Sequence, residues 1–128
     1  MVKISIFFFT LIFFFSCNSK PEVQDQQKAK QLYSEGMKIL DKRISIQSSD
    51  SRNAMELNKK AIEKFSAAYN ADTFFTEAVL FSSECTMYGK DYQQCVYWTT
   101  KLKHLDTTLQ NIKFCNDRIE YCKKQLHP

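Results

Sequence analysis

Glycine, proline and histidine each occur only twice in this 128-residue chain. Two isolated glycines, Gly36 and Gly89, cannot build a Gly-rich phosphate loop, whose backbone must approach its ligand closely. So few turn-forming residues also argue against a β-rich fold with many tight turns. His104 and His127 lie in no HExxH pattern and have no candidate ligand beside them in the sequence, and neither CxxC nor GxSxG occurs. No metal site, cofactor or catalytic residue is therefore expected, and the chain reads as a non-enzyme. Blocks of like charge are missing too. Lys42-Arg43, Lys59-Lys60 and Lys123-Lys124 are short pairs that suit solvated helix faces, so no nucleic acid is implied. The length allows one domain.

What is present is unevenly spread. Six of the eleven Phe lie in the first fifteen residues, and Lys3 is the one charge before Lys20. Ile4 to Phe15 is a run of twelve residues, apolar except for Ser5 and Thr10. A transmembrane helix needs about 20 apolar residues, whereas about a dozen suit the core of an export signal. Ser16, a small residue, is followed by Cys17 and by the polar Asn18-Ser19-Lys20-Pro21. A basic start, an apolar core, a small residue and then Cys resembles a bacterial lipoprotein signal. The resemblance implies that residues 1–16 are removed, that Cys17 becomes the first residue, and that its thiol carries the lipid. Each buried methylene of such a lipid contributes about 0.8 kcal/mol, so several acyl chains anchor firmly. An ordinary secretory signal with an incidental Cys, or an uncleaved anchor, are the alternatives. The 18 basic residues less Lys3, against 14 acidic, leave a net charge of +3 after such a cut.

Residues 17–27, the Cys and the polar stretch after it, read as a tether. Beyond them apolar residues recur at the helical period. The inward faces are Ala29, Leu32, Tyr33, Gly36, Met37, Leu40 and Ile44, then Ala54, Leu57, Ala61, Ile62, Phe65, Ala68 and Tyr69. A third helix carries Phe75, Ala78, Val79, Phe81, Ser82 and Cys85, capped by Asp72 or Thr73 and stopped at Gly89 in a left-handed conformation. Asp91 to Gln94 and Thr107 to Gln110 are capping boxes for a fourth and a fifth helix. Those helices bury Tyr92, Cys95, Val96, Thr99 and Leu102, then Leu109, Ile112, Cys115, Ile119, Cys122 and Leu126. Trp98 is read as falling on the opposite face from Cys95 and Leu102 and is expected to be exposed or to pack on a neighbour. No stretch alternates at period two. The fold class is all-α, about five antiparallel helices stacked as α-hairpins over residues 28–126.

Ala61, Phe65 and Ala68 sit four and three residues apart, as in the second helix of a tetratricopeptide repeat, and Leu32 and Gly36 fit the first. Gly89-Lys90-Asp91-Tyr92 resembles the turn that opens the next hairpin of that family. Small residues there let helices approach, and the aromatic fills the gap between repeats. The resemblance implies a helical stack that binds a protein or peptide. One departure stands out: residues 41–57 exceed the tight turn of the family, which requires extended helices or an inserted loop. In such a stack Tyr33, Met37, Thr86, Met87 and Tyr121 would line the concave face as a partner groove, the alternative being ordinary partly buried packing.

Four cysteines follow Cys17. Cys115 and Cys122 are two helical turns apart, about 10.5 Å along the axis, beyond the ~7 Å that a disulfide tolerates between Cα atoms. Cys85 could meet Cys95 across the Gly89 turn, or either could reach Cys122; alternatively all four are small core residues. Two functions result. One is a membrane-tethered, non-enzymatic adaptor of the bacterial cell envelope. The other is a small secreted helical effector or inhibitor, stapled by disulfides and without a lipid. An enzyme or ligand carrier would need His104 beside acidic residues in a cavity.

Overall fold

The structure is a computed structural model, and it describes residues 25–128. The signal segment, Cys17 and most of the tether lie outside the described residues. Within them the chain forms five α-helices and no strand: α1 (Gln26–Ile46), α2 (Ser51–Ala71), α3 (Thr76–Tyr88), α4 (Tyr92–Leu105) and α5 (Leu109–Leu126). None is long and apolar enough to cross a membrane.

Local chemistry explains most of the boundaries. The carboxylates of Asp25, Asp50 and Asp91 and the hydroxyl of Thr108 each accept a backbone N–H three residues on, at 3.1 to 3.3 Å. Each such cap contributes about 1 kcal/mol by satisfying an otherwise orphaned amide. The helical domain thus starts at Asp25 and Gln26, two residues inside the expected tether. The α5 cap is Thr108 bonded to Asn111, one residue beyond the expected box.

Asp72 ends α2 by donating its N–H to Ala68 O. Two other boundaries differ from the sequence reading. The α3 cap position is Phe75, which makes no side-chain cap bond; Asp72 instead closes a tight turn onto the Phe74 N–H at 3.1 Å. At the end of α3, Gly89 keeps a right-handed φ of −74° while Lys90 takes the left-handed φ of 57°. Gly89 matters for volume instead: a Cβ there would meet Asn58 Nδ2 at 3.1 Å and Cys85 O at 3.4 Å. The long 41–57 segment is resolved by extension, since α1 and α2 both run to 21 residues around a turn at Gln47 to Ser49.

Short turns return each helix beside its predecessor, and the main contacts run between sequence neighbours from α1 to α5. Two clusters make the core. Leu40, Ala61, Phe65 and Cys85 join α1, α2 and α3, flanked by Tyr33, Met37, Ile39, Ile62 and Phe81. Val79, Trp98, Leu102 and Cys115 join α3, α4 and α5, flanked by Tyr69, Leu80 and Leu105. α3 serves both clusters, so small residues are buried around much of its surface: Ala78, Val79, Ser82, Ser83, Cys85 and Thr86. Their hydroxyls cost little because partners are at hand: Ser82 donates to Ala78 O at 2.8 Å, and Ser83 shares a hydrogen bond with Thr99 at 2.7 Å.

Three expected orientations are corrected. Trp98 is 6% exposed and stands edge-on to Tyr69, with centroids 5.5 Å apart; four residues before Leu102, it lies on the Leu102 stripe. Leu109 is 87% exposed because it is the first residue of α5, ahead of the turn that meets α4. Ile44 is half exposed, and Arg43 takes the inward place beside it.

Candidate functional site

The five residues expected to line a groove fall into two groups. Tyr33 packs against Phe75, Phe65 and Phe81, with ring centroids 5.0, 5.8 and 6.0 Å away. Burial, and then the nearby Glu77 carboxylate, push its phenol above the ordinary range. Met37 leans on the same cluster. Met87 and Tyr121 belong to the far end. The Met87 sulfur lies 3.8 Å from Cys122 Sγ, and Tyr121, 46% exposed, stands edge-on to Tyr92 at 6.1 Å. Thr86 does not line a groove. It is 2% exposed and its hydroxyl is directed at the carbonyls of Ser82 and Ser83, at 2.8 and 2.9 Å. A buried, self-bonded hydroxyl has no donor left for a partner.

A polar bridge links α3 and α5. Arg118 donates from Nη2 to Glu84 Oε1 at 2.7 Å and from Nη1 to Ser83 Oγ at 2.9 Å. Its guanidinium also covers the Phe114 ring at 4.4 Å. The pair is largely shielded on the arginine side, whose side chain is only 12% exposed. Nothing local in the sequence announces residues so far apart as partners.

A second polar cluster ties α1 to α2 and α3. Arg43 Nη1 donates to Asn58 Oδ1 at 2.8 Å, Asn58 Nδ2 donates to Cys85 O at 2.8 Å, and the guanidinium stacks 3.9 Å from the Tyr88 centroid. Among the described residues Arg43 Nε has no hydrogen-bond partner. On α4, the Lys101 ammonium lies 5.1 and 4.7 Å from the Tyr69 and Tyr97 ring centroids and donates to Tyr69 Oη at 3.3 Å. The spacing of Tyr97 and Lys101 by four residues could have flagged the pair on one helix face.

All four cysteines of the domain are buried free thiols in the structure. Cys85 belongs to the first core cluster. Burial raises its thiol to about 11, with Arg43 partly opposing. Cys95 instead faces Thr99 and α5, so the two cysteines flanking the α3–α4 turn look to different sides of the fold, and the Cys85–Cys95 bond, one of the alternatives the sequence left open, is not formed. Cys115 sits in the second cluster and donates to Asn111 Oδ1 at 3.7 Å. Cys122 lies beside Cys95, and burial and then Cys95 itself push its thiol to about 12. Thiols held this high are poor nucleophiles while the fold is closed.

His104 is exposed in the last turn of α4, and His127 follows α5. Among the described residues no group of three or more His, Cys, Asp or Glu could hold a metal ion. A surface depression of about 440 Å³ runs beside α5 alone and is lined by Asn116, Ile119, Glu120, Lys123, Lys124 and His127. Compared with family models, with curated proteins and with solved structures, the chain gives no match.

Proposed function

We propose that this chain is a lipoprotein of a bacterial envelope whose helical-repeat domain binds a protein or peptide partner and catalyses no reaction. Cys17 carries the lipid, and the residues up to the Asp25 cap are the tether. The apolar run Ile4 to Phe15 followed by Ser16-Cys17 supports the tether half. The observation that carries the repeat half is the crossing of α1 and α2 at Gly36. A Cβ on Gly36 would stand 2.7 Å from the Phe65 ring, so the glycine and the aromatic act as one contact. Gly36 and Phe65 are both among the positions on which the tetratricopeptide resemblance rests.

The partner surface we assign is formed by Met37 at one end and Met87 and Tyr121 at the other. Flexible thioethers and an amphipathic ring suit contact with a peptide of variable sequence. The intact mass of protein extracted from bacterial membranes tests the tether. The reading expects a chain beginning at Cys17 plus acyl groups; an unacylated chain, or one beginning elsewhere, sinks it. Photo-crosslinkers placed at Met37 and Tyr121 in the envelope test the surface, with Lys59 as a control position. Equal yields at all three positions would remove the assignment.

A second reading, a secreted and disulfide-stapled effector or inhibitor without lipid, is favoured by one observation: the Tyr92–Tyr121 contact brings the turns that carry Cys95 and Cys122 against each other. The same mass measurement separates the two.

A further inference from the structure

We propose that Cys95 and Cys122 are a disulfide site whose oxidation fastens α5 onto α4. Cys95 and Cys122 come from turns of α4 and α5 that the Tyr92–Tyr121 contact holds against each other, with ring centroids 6.1 Å apart. Cys95 shares a contact with Thr99 at 3.8 Å on α4, and Cys122 points at Met87 Sδ on α3, also at 3.8 Å. Both cysteines are fully buried. The Tyr92 and Tyr121 rings, one neighbouring each half of the pair, close the junction from outside. The other two thiols are excluded by position. Cys115 is two turns from Cys122 on the same helix, and Cys85 faces Arg43 in the first cluster.

The route to oxidation follows from how α5 is held. Cys115 and Cys122 are its only buried residues. A terminal helix with so little burial opens locally far more often than the domain unfolds. Opening brings Cys122, in the penultimate turn, into contact with solvent. The oxidant is a disulfide, either a small-molecule one such as oxidised glutathione or a protein one. The Cys122 thiolate attacks one of its sulfurs, breaking that S–S bond and releasing one thiol, with Cys122 held as a mixed disulfide. When α5 closes again, the Cys95 thiolate attacks the Cys122 sulfur. The Cys95–Cys122 bond forms and the second thiol leaves. Two thiol hydrogens and two electrons pass from the protein to the oxidant in total.

Oxidation in the cell rests on the export reading, since exported chains meet an oxidising compartment; the chemistry of the pair does not. The test is therefore run twice. Purified full-length wild-type protein is equilibrated with a glutathione buffer of increasing oxidised fraction, then acid-trapped, alkylated and digested. The expected result is one linked peptide pair carrying Cys95 and Cys122, with Cys85 and Cys115 alkylated. Four alkylated core thiols at every ratio, or a linkage through Cys85 or Cys115, would overturn the assignment. The same trapping on protein from bacterial membranes, alongside its intact mass, reports on export: a reduced pair in the cell that oxidises in the tube refutes the compartment reading and leaves the site standing. Amide exchange on the oxidised and reduced forms tests the fastening. Oxidation should slow α5 exchange by about tenfold or more and leave α1 and α2 unchanged. Equal α5 rates in both forms would rule the fastening out. The C95A variant should lose the redox response: its α5 rates should be the same in oxidising and in reducing buffer, whatever their absolute level.

Discussion

α2 and α5 are similar in length, 21 and 18 residues, yet they are retained by different means. α2 lies between α1 and α3 and buries Ala54, Asn58, Ala61, Phe65, Ala68 and Ala71. Its alanines bring neighbouring backbones close, and Phe65 fills the space opposite Gly36, stacked at 5.6 Å on Phe81. α5 meets α4 and α3 on one side and buries two thiols. Much of its attachment is polar: Arg118 to Glu84 and Ser83, and Lys103 of α4 to Asn116 at 2.7 Å. Apolar contact is hard to replace with water, whereas an exposed polar contact such as Lys103–Asn116 exchanges with it at little cost. The difference teaches that one continuous stack can hold a fixed end and a releasable end, separated by the choice of side chains and not by length or helix propensity.

The largest expected effect breaks the fixed end. Phe65→Ala should cost about 3–5 kcal/mol, the range for emptying a core of an aromatic ring; urea unfolding would read it as a lower midpoint for the whole domain. Gly36→Ala comes next. Its methyl would stand 2.7 Å from the Phe65 ring, so the helices must part, at a cost of about 1–3 kcal/mol. Pairing it with Phe65→Leu should recover part of that loss in a double-mutant cycle; strict additivity would show that the two residues do not act as one contact.

The releasable end should respond separately. Arg118→Ala removes a partly shielded ion pair and takes from Glu84 its arginine donor, a loss of about 1–3 kcal/mol. Amide exchange should show it in α5, with α1 and α2 little changed. A uniform rise in exchange across all five helices would mean that the two ends are not independent.

The smallest effect lies in acid. Lys64 bonds the Glu35 carboxylate across α1 and α2 and holds it below the usual carboxylate range. Because the folded value is the lower one, the stabilisation is complete above the unfolded pKa and is lost as pH falls through the folded value. Wild type should therefore exceed E35Q slightly in Tm at neutral pH, and the gap should close on acidification. A gap that persists at pH 2 would show that the difference does not come from this charge.

Much of the fold was legible because its signals are local. Asp91 acts on an amide three residues away, and Ala61, Phe65 and Ala68 declare a face by spacing alone. Long-range pairing was not legible. Arg118 finds Glu84 and Arg43 finds Asn58 only once the helices are placed, since either arginine would serve equally well on a solvated face. Lys90 takes the left-handed turn although Gly89 stands beside it, because Gly89 is needed against Asn58 for its lack of a side chain. Trp98 was readable and misplaced: its spacing from Leu102 puts it on the inward stripe. The cysteines were half readable. Helix spacing separates Cys115 from Cys122, but only the rotation of α4 about its axis decides that Cys95 looks to α5 and not to Cys85.

Ala54, Ala61 and Ala68 are fully buried at intervals of seven residues. A ruler with identical marks can be misread by one division, and α2 displaced by two turns would again place alanine against its neighbours. Asn58 occurs once on that ruler. Its amide takes a hydrogen from Arg43 on one side and gives one to the end of α3 on the other, so a displaced helix would strand polar groups in an apolar interior. A single buried amide thus fixes the alignment of three helices that alanine alone would leave ambiguous.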